Sequence, residues 1–492
     1  MGFTTEIFLF VFFPGCLAVW GLCRWLERFS LWERLRLGDW AAVCMSLGFY
    51  GWALFDGMAL LFLYICVVFA AGRLLGCAAG WRLILPVFWE GADGERCFRS
   101  AALESVALGC ACGLLLLWLF RAKYWAFFQG VLGLEAAAGQ GPAMLGLSFL
   151  TFSAISYLAD IRRGAAPAGG FLDCLLYLSF FPKVISGPIV LWRDFQPQIA
   201  ARRVSLDGFL SGTERMMLGF GKKLILADVF GACLAKMGDN VDLPTAWGAV
   251  LLYTLQIYYD FSGYSDIALG LARMFGFSFA ENFHFPYRSR SITEFWRRWH
   301  ISLGTWFREY VYIPMGGSRL GLRRTLWNLA VVFALTGLWH GAGWNYILWG
   351  AVNGLFVLLE RVVREKAWYR KIPDAVKWAG TMCVAAGFWE LFRFQSLRDA
   401  GRWLALMLGL IRRDAVFYGW QFYFDGRMWF LIAVAVLGAV IPGGEWGRRR
   451  MERLGRGTAG LLLREAALLA VFVLSILFMV NSSYSPFIYF QY

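Results

Sequence analysis

The chain is short of charge and short of histidine. Only 16% of its residues are charged, against about 25% in ordinary soluble domains, while the hydrophobic fraction is 59% and the mean hydropathy +0.56. That balance excludes a soluble globular enzyme and reads as a polytopic membrane protein. Neither an internal repeat, a low-complexity tract nor a soluble domain is legible. The eleven cysteines show neither zinc spacing nor a disulfide framework; no metal site is expected, and Cys44, Cys66 and Cys383, inside apolar segments, read as small buried hydrophobes. The N-terminus lacks a basic region ahead of its apolar run, so residues 1–25 read as a first span rather than a cleaved signal peptide. Histidine occurs three times in 492 residues, as His284, His300 and His340. All three fall in one window, residues 258–350, and histidine moves protons near neutral pH.

What is present is apolar length punctuated by arginine. The net charge is +14, and in a soluble chain it would suggest nucleic acid. Here the cations sit in short clusters between apolar runs, the pattern of cytoplasmic loops facing anionic lipid. Membrane lipid is therefore the expected partner, and nucleic acid is not. The basic joint at 24–36 places the N-terminus outside. Residues 41–77 read as two passes turned at Asp56 and Gly57, and 101–120 and 142–160 as further spans. Residues 206–230, apolar but carrying Glu214, Arg215, Lys222 and Lys223, are expected along the inner face. Spans are also expected at 372–391, 429–440 and 468–480, with a polar-aromatic connection at 395–427 and a basic run at 448–456. The total is about eleven full or partial passes at about 20 residues each, in one domain covering 1–492.

Two segments break the pattern. Pro182, Gly187 and Pro188 interrupt 180–199, so this stretch is expected to be re-entrant or surface-lying, since irregular backbone at membrane depth survives only inside protein or beside water. Residues 247–272 carry Asp260 and Asp266, and charges there face the bundle interior. Tyr264, one turn from Asp260, is a structural partner for it.

The window itself divides. Ser291 followed by Glu294 is a capping box that starts a helix near Ile292. At about 100° per residue, Phe295, Trp296, Trp299, Leu303, Trp306, Phe307 and Tyr310 share one sector, with Arg297, Arg298, Arg308 and Glu309 opposite. One amphipathic helix is thus predicted, with His300 at the margin of its apolar sector. Between Arg324 and Glu360 no charged residue occurs, which fits two short helices turned at His340-Gly341-Ala342-Gly343. That places His340 roughly 24 Å along its helix, past the middle of a bilayer core about 30 Å thick. His284 reads as a loop residue. Arg288, Arg290, Arg297 and Arg298 suit either lipid headgroups or the phosphates of a carrier or nucleotide.

The strings YYDFSGYSDIALGLARMFGF, ENFHFPYRSRSITEFWRRWHISLGTWFREYVYIPMGG, LTGLWHGAGWNYILWG and SSYSPFIYFQY resemble the membrane-bound O-acyltransferase (MBOAT) family, in its alginate O-acetyltransferase membrane-subunit branch. FLFVFFPGCLAVW, SFLTFSAISYLADIRRG and FFPKVISGP fit the same branch, while Ser153 stands where glutamine is expected. The resemblance implies an all-α membrane enzyme with helices around a central cavity and a motif-bearing core at about 142–365. It implies His340 as the catalytic histidine and His300 as its second; Asp260, Asn282, Arg297 and Arg298 are candidates, from the residues themselves, for positioning substrate or donor. It also implies no bound cofactor, acetyl-CoA as a cytoplasmic acetyl donor, a location in the bacterial inner membrane, and a periplasmic or membrane-anchored acetyltransferase partner that modifies an exported polysaccharide. Two rival readings are D-alanyl transfer from a carrier protein to teichoic acid and a transporter with broken helices.

Overall fold

A long apolar run in lipid can satisfy its backbone only within itself, so such a chain folds into helices. The computed structural model describes residues 2–29, 34–84, 93–134, 144–238, 241–411, 418–444 and 457–481. Among them there are helices and turns and no strand. Five helices among the described residues are long and apolar enough to cross a membrane: Phe8–Leu26, Phe55–Gly76, Glu104–Lys123, Trp344–Val363 and Thr458–Asn481. The basic run at 448–456, the C-terminal SSYSPFIYFQY and residues 30–33 of the first basic joint lie outside the described residues. The chain divides into two compact units, Met1–Phe209 with Leu271–Phe279, and Leu210–Gly270 with Ala280–Tyr492.

The first unit holds α1 (Phe13–Leu26), α2 (Leu37–Ala53), α3 (Met58–Ile84), α4 (Asp93–Lys123), α5 (Leu147–Arg162), α6 (Phe171–Ser179) and α7 (Trp192–Ala201). The turn expected at Asp56 and Gly57 is the 3-10 turn Phe55–Gly57 between α2 and α3. The expected break before α7 is also present: a four-residue helix, Phe181–Val184, gives way to irregular backbone, and residues 180–192 are all buried. Side chains satisfy the freed backbone groups, as the low dielectric requires. Phe181 N–H donates to Ser46 Oγ at 3.0 Å and Trp192 N–H to Ser156 Oγ at 2.9 Å, while Tyr177 Oη donates to the Val190 carbonyl at 2.7 Å. Ser153 takes part too, accepting from Lys183 Nζ at 3.3 Å.

The second unit holds most of α8 (Leu206–Phe220), α9 (Asp228–Met237) and most of α10 (Leu243–Met274). It continues with α11 (Ile292–Arg298), α12 (Ile301–Phe307), α13 (Gly321–His340), α14 (Trp344–Val363), α15 (Asp374–Arg393), α16 (Leu397–Met407), α17 (Gly426–Val440) and α18 (Thr458–Asn481). The charge-free run forms the expected hairpin, and it is close-packed. A Cβ at Gly337 would lie 2.6 Å from the Tyr346 carbonyl oxygen, and one at Gly350 would lie 2.7 Å from that of Phe333. Small residues let helix backbones touch where lipid supplies no hydrophobic drive between them. The cysteine expectation needs correcting: Cys66 is half-buried, but Cys44 on α2 and Cys383 on α15 are exposed. Apolar helix faces in lipid need no covering by protein, so apolar surroundings in sequence did not mean burial.

Candidate active site

The predicted amphipathic helix is two helices. α11 ends at Arg298 and α12 begins at Ile301, with His300 between them in left-handed backbone at φ 45°. Neither glycine nor proline marks this break. A loop from another part of the chain holds it open: Ile301 N–H donates to the Asn282 carbonyl and His284 N–H to the Arg298 carbonyl, both at 2.9 Å. A non-glycine residue in this region is strained, and it persists only where its surroundings over-determine it. The capping box forms in part. Ser291 Oγ accepts from Glu294 N–H at 3.0 Å, but the Glu294 carboxylate receives Arg290 N–H rather than that of Ser291.

His300 consequently sits inside the protein, 3% exposed, rather than at a margin. Its ring is oriented by Asn282, which is fully buried. Asn282 Oδ1 lies 3.2 Å from Ser302 N–H, 2.9 Å from Ser302 Oγ and 3.1 Å from His300 Nδ1. A backbone N–H can only donate, so the atom facing it is the amide oxygen, and His300 Nδ1 must carry the proton it gives to that oxygen. The amide nitrogen donates to Ser265 Oγ at 3.0 Å. The lone pair therefore falls on His300 Nε2, which is buried and meets no hydrogen-bond partner among the described residues. Burial pushes the imidazole down to about 3, so it is neutral at any ordinary pH.

His340 closes α13 at its last residue and is 7% exposed. At about 1.5 Å per residue, it stands about 28 Å from the start of that helix. Aromatic rings surround it: Trp339 at 4.8 Å, Trp349 at 4.8 Å and Phe392 at 5.1 Å between centroids. Trp339 also faces His300, at 6.1 Å. One indole thus lies against both imidazoles, and this pairing of residues forty apart is what the fold adds to the two motifs.

The other candidates separate. Asp260 pairs with Lys223 at 2.6 Å, and Asp228 holds the same ammonium at 2.6 Å, so two buried carboxylates share one buried cation. Arg298 pairs with Glu294 at 2.8 Å and donates to the His284 carbonyl at 3.2 Å. Arg297 is exposed and lines a cleft of about 220 Å³ with Arg290, Arg364 and Lys377. Glu360, also lining it, is engaged internally, accepting from Thr293 N–H at 2.7 Å and Thr293 Oγ1 at 2.6 Å. Sequence reasoning missed Ser302, Ser265, Trp339 and Trp349. Ser302, two residues after His300, and Trp339, beside His340, had a local signal, but a continuous helix would have turned Ser302 away.

Helices of membrane-crossing length, with two buried histidines against one indole, make this a polytopic membrane protein with a candidate acid–base site. Residues 145–394 match the model of MBOAT, the membrane-bound O-acyltransferase family. The chain belongs to that family and is an O-acyltransferase. It is 36% identical, over the full length of both chains, to the probable alginate O-acetylase AlgI of Pseudomonas putida. It is 37% identical to the probable alginate O-acetylase AlgI of Pseudomonas aeruginosa, over 82% of this chain and 74% of that one. A peptidoglycan O-acetyltransferase of Helicobacter pylori is 35% identical over 49% of this chain and 47% of its own length.

Proposed function

We propose that the protein takes an acetyl group from a cytoplasmic thioester donor, acetyl-CoA, and passes it across the bacterial inner membrane for O-acetylation of an exported polysaccharide such as alginate. The observation that carries this reading is the pair of buried imidazoles facing one indole, one of them with a buried ring nitrogen that meets no partner among the described residues. His340 takes the proton from an acceptor hydroxyl as that oxygen attacks the thioester carbonyl. The C–O bond forms, the C–S bond breaks, and the thiolate leaves, to be protonated to the free thiol. His300 orients the donor or relays a proton through Nε2. Arg297 and its neighbouring cations suit the donor's phosphates, and Arg298 and Asp260 position the elements that carry the histidines. The acceptor hydroxyl belongs to the polymer or to a periplasmic or membrane-anchored acetyltransferase partner.

The names of the Pseudomonas relatives support an acetyl group and a polysaccharide. The test is His340→Ala in proteoliposomes loaded with acetyl-CoA, read as acetyl transfer. Transfer should fall at least about a hundredfold while the variant still elutes as a monodisperse species. Unchanged transfer in an inserted, folded variant would sink the reading, and dependence on an acyl carrier protein instead of acetyl-CoA would replace the donor.

A further inference from the structure

A second cleft lies in the first unit and plays no part in the chemistry above. It measures about 760 Å³ and is bounded by the end of α1 (Trp20, Arg24, Trp25), Arg28 in the turn that follows, the start of α2 and one face of α7. Three features give it a chemistry.

The first is charge. Arg24, Arg28 and Arg36 line the cleft, against Glu27, Asp39 and Asp173. Each of those carboxylates is already engaged twice. Glu27 receives Arg24 at 2.6 Å and Gly38 N–H at 2.7 Å, and Asp173 receives Arg36 at 2.6 Å and Gly170 N–H at 2.7 Å. Asp39 pairs with Arg36 and with the buried Arg202. Arg28 forms no ion pair among the described residues, so the cleft keeps an uncommitted cation. Gly38 is part of the construction: a Cβ there would lie 2.4 Å from Arg24 Cδ, so a side chain at 38 would push Arg24 from its place across the start of α2.

The second is an orphaned donor. Trp20 is 5% exposed and lines the cleft, and its Nε1–H, itself with almost no accessible surface, meets no acceptor among the described residues, so a ligand oxygen reaches it once the indole turns toward the cleft. Buried indole N–H groups ordinarily find a partner.

The third is depth. Phe8–Leu26 is a helix of membrane-crossing length, so its end, where the cleft opens, lies at the level of lipid headgroups. Trp25 is 51% exposed there, as an amphipathic ring at a membrane interface would be.

We propose that this cleft binds the headgroup of an anionic phospholipid. Its phosphodiester rests on Arg28 and Arg24, an ester oxygen accepts from Trp20 Nε1–H, and the acyl chains descend past Trp25 along α1. A soluble phosphate ester shares the phosphate chemistry but would leave the apolar wall unused.

The probe is phosphatidylglycerol, added to delipidated full-length protein and read by native mass spectrometry beside phosphatidylcholine and inorganic phosphate. The protein should retain phosphatidylglycerol in preference to phosphatidylcholine. Arg28→Gln should weaken that retention about fivefold, and Arg398→Gln, on α16, should not. Trp25→Ala should also weaken it, and it decides the matter if Arg28→Gln aggregates. Equal retention of the two lipids, or retention unchanged in Arg28→Gln, overturns the site. Displacement of phosphatidylglycerol by inorganic phosphate at comparable concentration overturns the lipid assignment in favour of a soluble anion.

Discussion

Asn282 offers the sharpest test of how His300 is held. Its Oδ1 is the common acceptor for His300 Nδ1–H, Ser302 N–H and Ser302 Oγ, at 3.1, 3.2 and 2.9 Å. Asn282→Ala removes that acceptor and leaves the three donors inside the protein. A buried donor without a partner costs about 1–3 kcal/mol, and water entering the small void recovers part of it, so a net loss of about 3 kcal/mol is expected. Asn282→Asp keeps the acceptor geometry but loses the donation to Ser265 Oγ and buries a carboxylate, so it too should melt below the parent at neutral pH. Its distinguishing effect is on the proton. A carboxylate against Nδ1 favours the charged imidazole and raises the His300 pKa, now about 3, by about 1–3 units. The assay is acetyl transfer in proteoliposomes between pH 4.5 and 8, with melting measured in the same detergent. The acid limb of the rate profile should move upward in Asn282→Asp, and Asn282→Ala should lose both stability and rate. If Asn282→Ala melts and turns over like the parent, Asn282 does not set the His300 tautomer. An unmoved acid limb in Asn282→Asp would equally refute the contact, provided His300 is required for transfer.

Three further outcomes follow from the same geometry. His300 is buried neutral at about 3, against an unfolded value of about 6.5, so its contribution is fully present above pH 6.5 and is lost as the pH falls toward 3. Between pH 6.5 and 5 the parent should lose about 2 kcal/mol from this source, and His300→Asn, which tolerates left-handed backbone, should show a flatter melting profile across that range. Gly337→Val would drive side-chain atoms into the Tyr346 carbonyl and the Gly350 backbone; it should cost about 1–3 kcal/mol and lower transfer, with normal melting counting against close packing of the hairpin. Lys223→Met strands two buried carboxylates and should destabilise by about 3–5 kcal/mol. Asp260→Asn leaves the Lys223–Asp228 pair intact and should be milder, so equal losses would contradict a shared cation.

Membrane class, the turn at Asp56 and Gly57, the interruption before Trp192 and the hairpin ending at His340 were all legible in the sequence. Each rests on a local cause: apolar length, a helix-breaking proline or glycine, or a run free of charge. The family motifs added the histidines and their order. Tertiary structure alone decided the environment of His300. The apolar spacing from Phe295 to Tyr310 is compatible with one helix, and no residue in it forbids continuation. The break exists because Asn282 and His284 supply backbone partners from outside the segment, and a periodicity argument does not see those partners. The same holds for Asp260, whose cation lies 37 residues earlier in the chain, and for Trp339, which shares its ring between two histidines only after the hairpin has packed. Local chemistry set where helices start, stop and cross lipid, while the direction of the polar atoms around His300 and Asp260 depended on residues that only folding brings within about 3 Å.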